Sequence, residues 1–356
     1  MIALSRKHLF TFLLALTLAS LPSCFHQETT TGAQPPAAQT PTTIAQAGEK
    51  PKFAIPIDCT LGQDCFILSY FDRDPGPEYL DFGCGRQTYD GHNGTDFGIP
   101  DEQAMARGVA VKASAAGTVL RVRDGIPDRR IQALEEAAQL KGIECGNGAV
   151  IDHGNGWQTQ YCHMRSGSVA VKPGMKVEKG TVLGMVGMSG LASFPHVHLT
   201  LRYQGQPLDP FVGVSAAAGC QVERHPLWER NLEYAGTGLI KAGFSSQPPA
   251  DINSLWNGSF SQPPISTDSP VLIFWTHPFG VLKGDVEHFR LLAPDGTTIA
   301  ESKRAIESPN RINRSNYVGK KNTKERPLTP GVWRGEYQLL RGDQVLIDIK
   351  REVELK

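Results

Sequence analysis

The stretch Phe194-Pro195-His196-Val197-His198-Leu199-Thr200-Leu201-Arg202 decides how the chain is read. After Pro195 it alternates. Val197, Leu199, Leu201 and Tyr203 share one face of a strand, and His196, His198, Thr200 and Arg202 share the other. Such a strand packs its apolar face into a core and points two imidazoles together above the sheet. That suits a metal ligand with a catalytic neighbour. It also suits an exposed polar face that happens to carry two histidines, and a lone His-x-His does not separate the two. The weight comes from what precedes it.

Upstream lies Gly91-His92-Asn93-Gly94-Thr95-Asp96-Phe97-Gly98. His92 and Asp96 can meet one metal if the glycines let the chain fold back. Gly148 to His153, the turn Gly154-Asn155-Gly156 and Trp157 to His163 predict a hairpin. Tyr161-Cys162-His163-Met164 closes its second strand, so three separated elements each bring groups capable of metal or proton work. A catalytic zinc takes three protein ligands and keeps an open position for water. Two neutral imidazoles and one carboxylate leave it one positive charge, enough to acidify water and polarise a carbonyl. Two further imidazoles could take the proton and steady the oxyanion.

With these motifs in order, the chain resembles the lysostaphin-type, LytM-like zinc endopeptidases of bacterial cell walls. The resemblance covers about Gly91 to Phe211. It includes Val111 to Val119, Gly148 to Met164, Val171 to Val177, Gly184 to Gly190, Pro195-His196-Val197-His198 and Asp209-Pro210. It implies that His92, Asp96 and His198 bind Zn2+ and that His163 and His196 are catalytic. It implies an antiparallel β-sheet core with loops walling a narrow groove, and peptidoglycan cross-links or stem peptides as substrate. Cys162 stands where a small residue is common, Val197 replaces the usual leucine, and an insert of about Asp124 to Glu144 exceeds the family minimum. Some members of the family have lost the chemical residues and only activate other wall hydrolases. A non-hydrolysing regulatory or wall-binding module is therefore the alternative, and the complete set of five residues argues against it.

The 356 residues suit about two domains, and a net charge of zero argues against a nucleic-acid partner. An apolar run from Leu9 to Leu21 behind Arg6 and Lys7 reads as a signal peptide over 1–23, too short for a membrane span. Leu21-Pro22-Ser23-Cys24 resembles a lipobox, which implies a lipid anchor through Cys24, although Pro22 is unusual there. Ordinary cleavage and secretion is the alternative. Phe25 favours an outer-membrane address, so the expectation is an exported, periplasmic, lipid-anchored protein. Residues 24–52, rich in Thr, Pro, Gln and Ala, read as a disordered tether. The six remaining cysteines imply disulfides, with Cys59–Cys65 the favoured local pair.

The expected fold is mostly β. An antiparallel β-sheet LytM-like peptidase domain with a helical insert spans 53–214, a connection spans 215–265, and a small β-sandwich-like domain spans 266–356. Val109 to Lys112 and Gly117 to Val122 read as strands joined by a tight turn. Asp128 reads as the N-cap of a helix ending near Leu140. Gly335 to Leu340 and Gln344 to Ile349 read as a hairpin whose turn is Arg341-Gly342-Asp343. His153 reads as turn packing, the five tryptophans as core, and His225, His277 and His288 as surface or packing residues. Asn147 and Thr159 could reach the groove, and Arg202 could meet a substrate carboxylate or simply face solvent. The sequence carries no sign of oligomeric state.

Overall fold

The computed structural model describes residues 51–214, 217–259, 264–308 and 312–356. The expected signal peptide, Cys24 and the tether as far as residue 50 lie outside the described residues.

The N-terminal part contains β1 (Phe66–Ser69), β2 (Thr95–Gly98), α1 (Glu102–Arg107), β3 (Ala110–Lys112), β4 (Gly117–Arg123), α2 (Leu134–Ala138) and β5 (Asn147–Gly154). Then come β6 (Trp157–Met164), β7 (Lys176–Val177), β8 (Val182–Met185), β9 (His196–Tyr203) and β10 (Gln206–Leu208). The C-terminal part contains β11 (Gly238–Ser245), α3 (Ile252–Trp256), β12 (Val271–Phe279), β13 (Val286–Leu292), β14 (Thr298–Ala305), β15 (Asn316–Lys321), β16 (Gly331–Arg341) and β17 (Gln344–Leu355). The chain is mostly β, and its sheets are antiparallel.

The main sheet runs β1-β2-β9-β6-β5-β4-β7, with β10 on β9. The alternation in β9 has the expected result. Val197, Leu199 and Leu201 are buried in one core with Phe97, Ile151, Tyr161 and Trp228, and burial of each large apolar side chain contributes roughly 1.5–3 kcal/mol. The opposite face of β9 is left to the polar side chains. The β5–β6 hairpin forms as read, its turn carried by Gly154, Asn155 and Gly156 with φ of 81°, 51° and 83°.

Three expectations need correction. The strand from Ala110 and the strand from Gly117 do not form a hairpin: β3 pairs with β8, whereas β4 pairs with β5 and β7. The insert holds only a five-residue helix, α2, because Asp128 does not cap it. The Asp128 carboxylate accepts from the Ser166 and Met188 N–H groups instead, at 2.9 and 2.7 Å. The stretch read as a connection supplies β11, which pairs along β12.

Sheets β11-β12-β15 and β14-β13-β16-β17 enclose a common core of Leu272, Phe274, Phe289, Trp333, Tyr337 and Leu339. Strands β16 and β17 form the expected hairpin, with Gly342 at φ 58° in the turn. Arg341 of that turn is committed to Asp285 at 2.8 Å. Phe66, Leu68 and Phe194 of the N-terminal part are buried in one cluster with Ile240, Trp256 and Phe279 of the C-terminal part. All five tryptophans are buried. Disulfides join Cys59–Cys65, Cys84–Cys220 and Cys145–Cys162.

Candidate metal centre and groove

Pairing of β2 with β9 sets Asp96 directly opposite His198, and opposite residues of an antiparallel pair project from the same face. His92 arrives through the loop that Gly91 opens with φ 74°. Gly94 lets that loop lie against the histidine: a Cβ there would sit 2.5 Å from both His198 Nε2 and the Leu199 carbonyl oxygen. His92 Nε2 is 3.2 Å from Asp96 Oδ1 and 3.1 Å from His198 Nδ1, and His198 Nδ1 is 2.9 Å from Asp96 Oδ1.

The surroundings fix which atoms carry protons. A carbonyl only accepts, so His92 Nδ1, 2.5 Å from the Tyr70 carbonyl, donates to it. Its Nε2 lone pair then faces the cluster. Thr200 Oγ1 stands 2.9 Å from His198 Nε2 and donates onward to Asn93 Oδ1, so it accepts the Nε2 proton and leaves the Nδ1 lone pair facing Asp96. Two ring lone pairs and a carboxylate oxygen thus converge within 4.8 Å. Three acceptors aimed at one point are mutually unfavourable without a cation between them, and this donor set fits zinc. Burial alone would raise the Asp96 carboxyl; where the His92, His196 and His198 rings around it carry extra protons, their charge and hydrogen bonds hold it well below the usual carboxylate range.

His163 and His196 flank this cluster, their ring centroids 4.6 Å apart. His163 follows Cys162, which lies opposite His198 in the β6–β9 pairing. Its backbone occupies the left-handed region at φ 62°, where a non-glycine residue is held only by its surroundings. The holding groups are the Cys145 carbonyl, which accepts from the His163 N–H at 2.8 Å, and the Cys145–Cys162 disulfide beside it. His163 Nδ1 donates to the Ser189 carbonyl at 2.8 Å, and His196 Nδ1 to the Phe194 carbonyl at 2.8 Å. Each ring therefore keeps an Nε2 lone pair. His196 Nε2 is 3.6 Å from Asp96 Oδ1. Burial, followed by the neighbouring histidine charges, pushes His163 well below the usual imidazole range, and burial lowers His196.

A cavity of about 280 Å³ opens over the centre. Tyr89, its ring 4.5 Å from that of His92, stands at one side, and Leu191 lines it too. The end of the insert contributes Glu144 and Cys145 to the wall.

The five residues singled out by sequence thus meet in one place. Arg202 lines the same cavity, but Thr159 and Asn147 do not. Thr159 bonds His153 and Tyr161, and Asn147 braces Ile126 and Met164. His153 is held at the strand end by the Ala116 carbonyl, as expected of turn packing. His225 and His288 pair with Glu223 and Glu301, and His277 is buried. Sequence reasoning missed the Tyr70 carbonyl, the partner of Cys162 and the aromatic support of His196. Phe194 stacks on His196 at 4.3 Å, and Trp256 lies tilted against Phe194 at 5.3 Å.

Residues 90–210 match the family model of peptidase family M23. The match covers about a third of the chain, and it contains all five of the residues singled out by sequence. Over its M23 segment the chain is 33% identical, across 118 residues, to Peptidoglycan DD-endopeptidase ShyA of Vibrio cholerae. It is 32% identical across 121 residues to DD-carboxypeptidase/endopeptidase Mpg of Neisseria meningitidis. Each match covers 33% of this chain and 22% of the relative, so the M23 segment spans about a fifth of the length of these curated relatives. A solved zinc-containing peptidase from Vibrio cholerae overlaps 45% of this chain and 39% of its own, at 25% identity and a TM-score of 0.31.

Proposed function

We propose that this chain is an exported zinc-dependent endopeptidase that hydrolyses peptide bonds in peptidoglycan, in cross-links or stem peptides. The observation that carries the reading is the convergence of His92 Nε2, Asp96 Oδ1 and His198 Nδ1 in a segment that matches peptidase family M23. In this reading those three residues hold the metal, and His163 and His196 are the catalytic residues. Bound zinc supplies a Lewis acid that lowers the pKa of water and polarises the scissile carbonyl.

The chain's own residues do the rest. The Ser189 carbonyl keeps the His163 proton on Nδ1, so Nε2 is free to take a proton from the attacking water. The Phe194 carbonyl orients His196 in the same way. A ring protonated at Nε2 becomes a donor at that atom and can stabilise negative charge on the carbonyl oxygen. Tyr89 and Leu191 rise beside the centre and would hold an extended peptide across it.

Relatives named as peptidoglycan DD-endopeptidases support the substrate class. Three disulfides support an oxidising, exported location. A lipid anchor through Cys24 on the outer membrane belongs to the same proposal, as does the reading of residues 53–214 as the peptidase domain.

The test is digestion of purified sacculi, read by liquid chromatography–mass spectrometry, with chelator and then with zinc restored. Loss of cross-linked dimers that chelator blocks and zinc rescues is expected. A folded, zinc-loaded protein that releases nothing would instead favour the non-hydrolysing regulatory module.

A further inference from the structure

The groove floor continues away from the metal centre along β9, where His198, Thr200 and Arg202 share one face and line one cavity. At about 3.3 Å per residue, Arg202 Cα lies roughly 13 Å from His198 Cα. Thr200 is opposite Gln160 of β6, Gln160 is opposite Val150 of β5, and Val150 is opposite Arg121 of β4. A register shift between Val119 and Arg121 leaves both Leu120 and Arg121 exposed. Arg121 lines a second depression of about 480 Å³, which shares Glu144, Cys145 and Gln160 with the groove over the metal centre. One trough therefore joins the two arginines to the histidine cluster.

Among the described residues the two guanidiniums lack a counter-charge. Neither Arg121 nor Arg202 has a hydrogen-bond acceptor or carboxylate partner for its side chain among the described residues. Neighbouring Arg123 differs, since it donates to the Gly146 and Gly142 carbonyls. Glu144, on the trough's lip, is exposed, and the cations that act on it are Arg123 and Lys141. Asp152, on β5, accepts from the Gly154 N–H. Partial burial and the positive charge of Arg121 both act against the charge on Arg202. Two like charges held on one floor without a partner are relieved by an anion. The planar guanidinium fork matches a carboxylate with two parallel hydrogen bonds.

We propose that Arg121 and Arg202 form a carboxylate-binding subsite that selects peptides bearing a free carboxylate about three to four residues' length from the scissile carbonyl. The substrate class is then an anionic peptide rather than an amidated one or a glycine bridge. This deepens the peptidase reading and rests on it for the direction in which the peptide lies.

The test is titration calorimetry of the purified, zinc-loaded protein with a synthetic stem peptide carrying free α-carboxylates, and with its fully amidated counterpart. The protein should bind the free form about tenfold tighter. An Arg121→Gln/Arg202→Gln variant, with an unchanged thermal melt, should bind both forms alike and near the amidated value. Arg202→Lys should retain only part of the preference. Equal affinity in the unaltered protein, undiminished preference in the double variant, or no binding of either peptide would overturn the subsite. Turnover of sacculi is scored separately. Preference without turnover sinks the peptidase reading and leaves the subsite, whereas turnover without preference does the reverse.

Discussion

Gly94 shows how tightly the centre is drawn at the scale of single residues. A methyl group there meets the His198 ring and the Leu199 carbonyl at 2.5 Å, and neither can yield without moving β9. Gly94→Ala should therefore lower zinc affinity by about tenfold or more. Competition against a fluorescent chelator would measure this, with circular dichroism confirming the fold. An unchanged affinity would mean that the ring is free to shift. His163→Ala should separate the two roles at the site. Its ring is not among the three converging ligands, so zinc stays bound while kcat falls about 10²–10⁴-fold. Loss of zinc together with activity would instead make His163 a ligand. The side chains of this site were legible because the motifs that carry them stand in the order of the family the chain resembles; alternation in β9 and glycine spacing in the preceding loop were compatible with them but did not single them out. The Tyr70 and Ser189 carbonyls, which fix the tautomers of His92 and His163, were not, since every residue owns a carbonyl. Only the fold says which one is aimed.

Among the elements, the insert between β4 and β5 reads as a helix because Ile131, Leu134 and Ala138 repeat at helical spacing. Local spacing could not show that Asp128 had stronger partners elsewhere. Its backbone bridges Ser189, and its carboxylate holds the N–H groups of Ser166 and Met188. Ser189 is the residue whose carbonyl orients His163, so the insert reaches the His163 ring through one intervening residue. Asp128→Ala would leave the part-buried Met188 N–H and the exposed Ser166 N–H without their carboxylate. It should cost about 1–2 kcal/mol, read from the denaturant midpoint. It should also lower kcat more than it raises KM, because the ring is loosened while the groove floor is intact. A KM effect alone would place the insert against substrate instead. The β5–β6 hairpin fared better at the same scale: Gly154-Asn155-Gly156 is a strong local turn signal, and local signals suffice where strands are adjacent in sequence.

Across the whole molecule, what escaped the sequence was the join between the two parts. Residues 238–245 looked like connection because the stretch around them is rich in Ser, Gly and Pro, yet they form β11 against a strand about thirty residues later. Composition cannot reveal a partner at that distance. The join buries His277, which stacks edge-on against Trp256 at 4.7 Å and bonds Asn313 at 3.1 Å. Burial, opposed by the Asn313 hydrogen bond and reinforced by the charge of Lys241 on β11, pushes its pKa down to about 4. The unfolded value is about 6.5, so the unfolded chain binds the extra proton first. Neutral His277 thus contributes stability that is present above about pH 6.5 and is lost as pH falls toward 4, on the order of 3 kcal/mol across that window. Trp256 also backs Phe194 and, through it, His196, so acid should weaken the support of the His196 ring as well as the join. Denaturant melts at pH 7 and pH 4.5 test this. His277→Gln, which keeps a donor for Asn313 and cannot take up the proton, should flatten the difference between the two pH values. A variant that loses as much stability in acid as the unaltered protein would assign the acid sensitivity to other groups.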